Sequence, residues 1–102
     1  MPNIGDDQII HFLLGGQSFN RSLSIMQSVY LPGSDTGVQV EARGGEGGGI
    51  VVEGQLEVSV GAEVQLLEPD DGYFFELRRP HRLRNIGECN CVVITANSIP
   101  PS

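Results

Sequence analysis

The chain is short of positive charge, and this shortage argues against one class of protein. Six Lys and Arg residues stand against thirteen Asp and Glu residues, which gives a net charge of −7 over 102 residues. Nucleic-acid binding draws its sequence-independent affinity from basic side chains on phosphates. The sequence also lacks the long amphipathic helical period of a helix-turn-helix. We therefore expect no direct binding of DNA or RNA.

Long apolar runs and cysteines are also scarce. No run approaches the roughly 20 apolar residues that cross a bilayer, and the polar segment after Met1 lacks the basic and apolar regions of a signal peptide. Cys89 and Cys91 are two positions apart, which is too close for an ordinary disulfide along one extended strand. Free thiols are typical of a reducing compartment. We expect a soluble, cytoplasmic protein with no membrane partner.

The periodicity that is present is that of β-strands. Leu56, Val58 and Val60 alternate with polar residues, the pattern of a half-buried strand. Gly61-Ala62 predicts a tight hairpin, and Pro69–Gly72 predicts a turn because Pro, Asp and Gly suit its positions. Other short apolar or alternating runs are Ile9–Leu14, Leu23–Leu31, Val38–Glu41, Ile50–Val52, Val64–Leu66 and Val92–Ile94. The intervening Gly44–Gly49 is predicted as a glycine-rich loop.

These runs amount to eight or nine short strands with turn residues at intervals of 8–12 and no helix longer than one turn. Such spacing predicts an all-β protein, an antiparallel sandwich or barrel. The length is that of one domain, which we take as residues 1–102. The repeated glycines fit a small jelly roll, whose inner face forms either a packed core or a ligand cavity.

The segment Tyr73–Asn85 is the most informative stretch of the chain. On a strand, residues two apart share a face, so His81, Leu83 and Asn85 point the same way. Arg82 and Arg84 then point outward, where they can pair with acids or with a second subunit. An imidazole and an amide among apolar neighbours predict part of a pocket wall. The simpler alternative is a histidine that only forms a structural hydrogen bond, which is also our prediction for the isolated His11.

The order of strand, glycine hairpin, strand, Pro-Asp turn, aromatic strand and Pro-His-x-x-x-Asn resembles the conserved barrel of the cupin superfamily. In particular, Gly44–Gly61, which reads GGEGGGIVVEGQLEVSVG, resembles the barrel that forms the sensing half of many bacterial helix-turn-helix regulators. The similarity covers about Val38 to Ser102 and arguably extends over the whole chain. It implies an antiparallel jelly-roll β-barrel, and a homodimer, because cupins commonly pair through their sheets.

The resemblance also implies where a metal site would lie, in two motifs. The first has two histidines one residue apart, then a glutamate, then a glycine. With that glycine on Gly54, the glutamate falls on Gly47 and the histidines fall on Glu41 and Arg43. None of the three ligands of this motif is therefore present unchanged.

The second motif is partly retained. Its histidine, the fourth ligand, matches His81, and its asparagine matches Asn85. Its earlier glycine falls on Asp70, and its inner proline and glycine fall on Glu76 and Arg78. A single imidazole cannot hold a divalent ion, since zinc and iron sites take three or four protein ligands.

We favour a non-catalytic cupin that binds a small molecule and has a regulatory role and a degenerate metal site. Tyr73 and Phe75 would line its cavity, and His81 and Asn85 would orient the ligand. Glu46 would join them if the glycine segment bulges, because a shift of one residue moves a side chain to the other face. This function requires no cofactor.

Two alternatives remain open. The first is a metal-dependent enzyme of the dioxygenase, isomerase or lyase type, in which Glu41, Glu46 and His81 hold a divalent metal. The second is a module that serves mainly for dimerisation. Nothing in the sequence places Cys89 or Cys91 near His81, so no cysteine-based catalysis is inferred.

Overall fold

Most of the residues that the structure, a computed structural model, describes lie in β-strands; the described residues are 3–4, 8–13, 23–41 and 44–98. The strands are β1 Asn3–Ile4, β2 Ile9–Leu13, β3 Leu23–Tyr30, β4 Glu46–Glu53, β5 Leu56–Val60, β6 Glu63–Leu67, β7 Gly72–Glu76, β8 His81–Arg84 and β9 Cys91–Ser98. Three predicted features lie outside the described residues, namely Leu14, Arg43 and Ile99–Ser102. No helix occurs in the described residues, and hence none long and apolar enough to cross a membrane.

The strands form two antiparallel sheets, as predicted for a jelly roll. The larger sheet has the order β1-β2-β3-β9-β4-β7, and the smaller has the order β6-β5-β8. The core lies between them, because one face of each sheet is apolar and must be buried. Its buried members are Ile9, Tyr30, Val51, Leu56, Val58, Leu67, Phe75, Leu83, Cys91 and Val93.

The alternation of buried and exposed residues within single strands was predicted correctly for β5 and β8. In β5, Leu56 and Val58 are buried while Glu57 between them is not. In β8, Leu83 is buried and Arg82 and Arg84 point outward, as expected. The turn residues also match the prediction, since Gly61 and Asp70 have φ of 58° and 75°. Asp70 occupies the position where the cupin motif has glycine, and Asp is one of the few residues that tolerates this conformation.

The glycine-rich segment was predicted as a loop, and this is wrong from Glu46 onward. Gly44 and Gly45 precede β4 with φ of 81° and 98°, but Gly47–Gly49 belong to the strand, and Gly48 pairs with Phe74 on one side and with Ala96 on the other. A Cβ atom on Gly48 would lie 2.7 Å from the carbonyl oxygen of Tyr73. Glycine therefore permits a close approach between neighbouring strands here, a use that its usual association with turns conceals.

The run Val38–Glu41 was expected to alternate as a strand, and this was also wrong. The segment joins β8 through a single bridge, Gln39 to His81. Val38 and Val40 are 67% and 59% exposed. With pairing through Gln39 alone, the segment follows the edge of the small sheet without turning an apolar face to the core.

The outward arginines of β8 pair with acids. Arg82 binds the Asp35 carboxylate through two nitrogens, and Arg84 binds Glu57. The hydrogen bond from Arg82 lowers the pKa of Asp35 to about 2, and the backbone N–H of Gly37 acts in the same direction. These pairs fix the segment after β3 and strand β5 to the outer face of β8.

A candidate ligand-binding cavity

A cavity of about 130 Å³ lies between the two sheets. Its polar lining comes from His11, Ser28, Tyr30, Tyr73, His81, Thr95 and Asn97. Its apolar lining comes from Met26, Phe75, Leu77 and Leu83, with Gly48 completing the wall. Strands of both sheets contribute, so the cavity exists only when the barrel is closed. No lining residue is acidic, although the chain has thirteen Asp and Glu residues.

Three aromatic rings form one wall of this cavity. Tyr73 and Phe75 are two residues apart on β7, so both face inward, and their ring centroids are 5.8 Å apart with planes at 16°. His81 on β8 continues the stack, with its centroid 4.6 Å from that of Phe75. The structure thus brings together Tyr73, Phe75 and His81, three of the residues predicted to bind a ligand. That they bind one stays a prediction.

The His81 ring is held by a hydrogen bond to the backbone. Its Nδ1 lies 2.7 Å from the carbonyl oxygen of Arg79. A carbonyl only accepts, so Nδ1 carries the proton and donates it. In the neutral ring, Nε2 is then an acceptor. The strand itself is positioned by paired backbone hydrogen bonds of 2.8 and 3.0 Å between His81 and Gln39.

His11 is a cavity residue that sequence reasoning missed. It pairs with Ser28 across β2 and β3, and its Nδ1 lies 2.8 Å from the Ser28 hydroxyl oxygen. Burial lowers its pKa below the ordinary value of 6.5, because a charged imidazole loses hydration there. The expected structural hydrogen bond exists, but the ring also lines the cavity. The sequence did offer a signal for this position. Residues two apart on a strand share a face, so His11 lies on the same face as the buried Ile9.

The hydroxyl groups of Tyr30 and Tyr73 have no hydrogen-bond partner among the described residues. Within that same part of the chain, Ser34 Oγ is the one fully enclosed side-chain polar atom without a partner. The two phenol hydroxyls are therefore not fully enclosed, and both residues line the cavity. Burial raises the pKa of each phenol above its ordinary value, so both stay protonated.

Asn85 does not reach this cavity. Its amide nitrogen donates to the carbonyl oxygens of Tyr30 and Cys89 at 2.9 and 2.7 Å. Its Oδ1 accepts from the backbone N–H of Gly87 at 2.8 Å. The fully buried side chain thus ties β3 to the loop between β8 and β9. The structure gives Asn85 a structural role and does not bring it near the aromatic wall.

The two glutamates that were predicted with His81 lie elsewhere. Glu46 is exposed at the start of β4 and borders a separate surface pocket with Glu76 and Arg78. Glu41 is also exposed, and its backbone N–H donates to the carbonyl oxygen of Leu77. Over the ranges that the structure describes, no three His, Cys, Asp or Glu side chains converge as metal ligands. Glu41, Glu46 and His81 are therefore not assembled into a site.

The space of the missing glutamate ligand is itself filled. A Cβ atom on Gly47 would lie 2.5 Å from Oδ1 of Asn97 and 2.7 Å from Cδ2 of Leu77. These two side chains occupy the volume where a carboxylate from this position would begin. The cavity offers two imidazoles, whereas zinc or iron sites take three or four ligands. The residues present do not fit a bound metal, and we derive no chemistry from one.

Comparison with known proteins agrees with this geometry. The family model described as "Cupin domain" matches residues 27–97, which is most of the chain. The search of curated protein sequences found no match to this chain.

Several solved structures share the fold. The cupin domain of an XRE family transcriptional regulator from Enterobacter cloacae superposes with a TM-score of 0.82 at 20% identity, covering 91% of this chain and 98% of that one. An HTH_3 family transcriptional regulator from Vibrio cholerae gives 0.83 at 19% identity, covering 98% of this chain and 56% of that one. A cupin superfamily sugar phosphate isomerase from Silicibacter pomeroyi gives 0.77 at 14% identity, covering 91% and 60%. At these identities the likeness establishes the fold alone.

Proposed function

The chain belongs to the cupin domain family, and from this premise we propose that it is a non-catalytic binding domain that takes up a small polar molecule between its two sheets. The observation that supports this most is the inner wall of Tyr73, Phe75 and His81. Ring faces supply apolar contact, and a few placed polar groups supply orientation, which is the usual composition of a ligand site.

The size of the cavity limits the ligand. At about 30 Å³ for each water molecule in the liquid, 130 Å³ corresponds to roughly four waters. The ligand, or the part of it that enters the barrel, is therefore small.

Binding is favoured over catalysis by what surrounds the polar groups. Among the described residues of the cavity, the Ser28–His11 pair is the one hydrogen bond between a hydroxyl and an imidazole, and no carboxylate orients that histidine there. A catalytic triad needs such a third group. Burial raises the pKa of Cys91 to about 11, so this thiol stays protonated and is a poor nucleophile.

We further propose that binding has a regulatory purpose. The cupin domain of the Enterobacter cloacae regulator matches this chain over 98% of its own length. A binding cavity without catalytic groups suits a sensor, in which occupancy of the barrel is the signal. This role is supported by the likeness of fold and by the cavity.

The test is an NMR titration of the ¹⁵N-labelled protein with a panel of small polar metabolites. We expect at least one compound to shift the amide signals of Tyr73, Phe75 and His81 together. The variant His81→Gln should weaken that binding by about tenfold, since it removes the ring and its stacking on Phe75. Glu88→Gln, on an exposed loop residue, is the matched control. A panel that leaves all cavity signals unchanged would overturn the proposal.

A homodimer is the second proposal, and the outer face of the large sheet supports it. We call this surface the outer face; its residues are Ile10, Phe12, Ile25, Gln27, Val29, Gly48, Ile50, Phe74, Val92, Ile94 and Ala96. Register makes it continuous, since Gln27 pairs with Phe12 on one side and with Ile94 on the other, and Ile94 pairs with Ile50. Phe74 is 76% exposed on it.

A second copy of this chain is a suitable occupant of the outer face. A chain of net charge −7 repels its own copies. The charged residues Glu46 and Glu76 pair with each other at one end of the same face, beyond the uncharged residues that define it. A two-fold dimer needs one self-complementary patch. Sedimentation velocity should show a dimer that Ile94→Glu converts to monomer, while Val64→Glu, on the exposed face of the small sheet, leaves it intact. A wild-type monomer at all concentrations would contradict this proposal.

A further inference from the structure

We propose that the cavity recognises a carboxylate group, which it holds between the hydroxyls of Tyr30 and Tyr73. This inference rests on the proposed function and names the class of its ligand: a small organic acid of roughly four to six non-hydrogen atoms, by the volume per water. Nothing in the cupin metal motifs concerns these two tyrosines, which lie on β3 and β7.

The first support is the state of the two hydroxyl groups. Tyr30 is 3% exposed, and within the described residues its hydroxyl has no protein partner. The hydroxyl of Tyr73 is likewise unpartnered there. Buried Tyr hydroxyls usually find a hydrogen-bond partner, because an unmet donor costs free energy. Two such donors open to one cavity are available to a hydrogen-bond acceptor that binds there.

The second support is that the hydroxyl donors of Tyr30 and Tyr73 belong to residues of the same cavity. Tyr30 on β3 and Tyr73 on β7 both line the cavity between the sheets. Because burial keeps both phenols protonated, each presents an O–H donor rather than a negative charge. Paired donors of this kind in a water-poor site are well suited to an oxyanion.

The third support is the charge of the lining. No Asp or Glu lines the cavity, so a cation would enter without a counter-charge. Two imidazoles, His11 and His81, are its ionisable bases, and Asn97 contributes an amide. Burial of an unpaired charge is costly. A carboxylate can accept from the two phenol hydroxyls and the Asn97 amide, whereas no carboxylate in the lining can pair with an ammonium. A carboxylate therefore fits better than an amine of similar size.

The experiment compares small probes of different charge by NMR titration of the ¹⁵N-labelled full chain. Acetate and pyruvate are the anionic probes, acetamide is the neutral one and ethylammonium is the cationic one, all at constant ionic strength balanced with sodium chloride. We expect acetate or pyruvate to shift cavity signals at concentrations about tenfold below those that acetamide requires, because hydrogen bonds to a charged acceptor are stronger. Ethylammonium should leave those signals unchanged.

Tyr30→Phe and Tyr73→Phe test the two hydroxyls, since each keeps the ring and removes only the oxygen. Each should weaken carboxylate binding by about tenfold while leaving the weak acetamide response and the melting temperature close to wild type. Either variant alone suffices if the other does not fold. Tyr→Phe variants that bind acetate as wild type does would overturn the assignment of the hydroxyls.

The outcomes separate this inference from the proposed function. Acetamide or ethylammonium binding as tightly as acetate would overturn the carboxylate class while leaving a ligand-binding cavity. Binding of no probe, together with no response to the metabolite panel, would overturn both. Shifts confined to surface signals away from Tyr73, Phe75 and His81 would count against the cavity as the site.

Discussion

The imidazole of His81 packs on the ring of Phe75, with centroids 4.6 Å apart and planes inclined by 33°. Phe75 belongs to the large sheet and His81 to the small one, so this contact joins the two sheets across the barrel interior. The residue that the sequence marks as functional therefore also stabilises the closed barrel. The proposed binding site and the packing between the sheets therefore share this ring.

Replacement of His81 by Ala should lower the free energy of unfolding by about 1–2 kcal/mol, because it removes both the ring contact and the hydrogen bond to Arg79. His81→Phe keeps the ring and should lose less. Urea denaturation measures both variants. Equal losses in the two would show that the stacking on Phe75 contributes nothing.

Stability should fall at acid pH through the Asp35–Arg82 pair. The folded pKa of Asp35 is about 2, below its ordinary value of 3.8, chiefly because Arg82 donates to the carboxylate. The unfolded chain binds the proton first, so the contribution of this pair is complete above about pH 4 and is lost as the pH falls towards 2. Asp35→Asn should remove that part of the pH dependence. An unchanged acid profile in Asp35→Asn, with Glu88→Gln as control, would refute this.

The thiols should differ sharply in reactivity. Cys89 is exposed, whereas Cys91 is fully buried and burial raises its pKa to about 11. Because the thiolate is the reactive form, a disulfide reagent should label one thiol rapidly in the folded protein and the second only on unfolding. Cys89→Ser should abolish the rapid phase. Rapid labelling of both thiols in the folded protein would contradict the buried position of Cys91.

Two glycines with similar backbone angles should respond differently to alanine. Gly54 and Gly37 have φ of 80° and 70°, so both substitutions carry the strain of a left-handed conformation, about 1–2 kcal/mol. At Gly54 a Cβ would also lie 2.4 Å from the carbonyl oxygen of Asn90, whereas nothing lies within 4 Å at Gly37. Gly54→Ala should therefore be the more destabilising by at least about 2 kcal/mol. Equal losses in urea denaturation would be inconsistent with this packing.

The features that could be predicted from the sequence are those set by neighbours in the chain. The hairpin at Gly61 follows from turn chemistry, and the inward face of β8 follows from period two. The family resemblance placed these elements in a barrel, and the Cupin domain match confirms that fold. The stacking of Tyr73 and Phe75 likewise follows from their spacing on one strand.

The remaining features depend on contacts between distant strands. His11 reaches the cavity because β2 pairs with β3 in the register that sets it opposite Ser28. Asn97 fills the space beside Gly47 because β9 lies next to β4. Asn85 matched a motif, yet its partners Tyr30 and Cys89 could only be known from the folded chain. The spacing of residues along one strand does not tell which residues of a distant strand lie opposite them.

The most direct measurement is a crystal structure of the protein with the panel compound that binds most tightly. The account predicts electron density for that compound between the two sheets, against Tyr73, Phe75 and His81, with no metal ion beside it. Density outside the barrel, or a metal ion coordinated by His81, would contradict it.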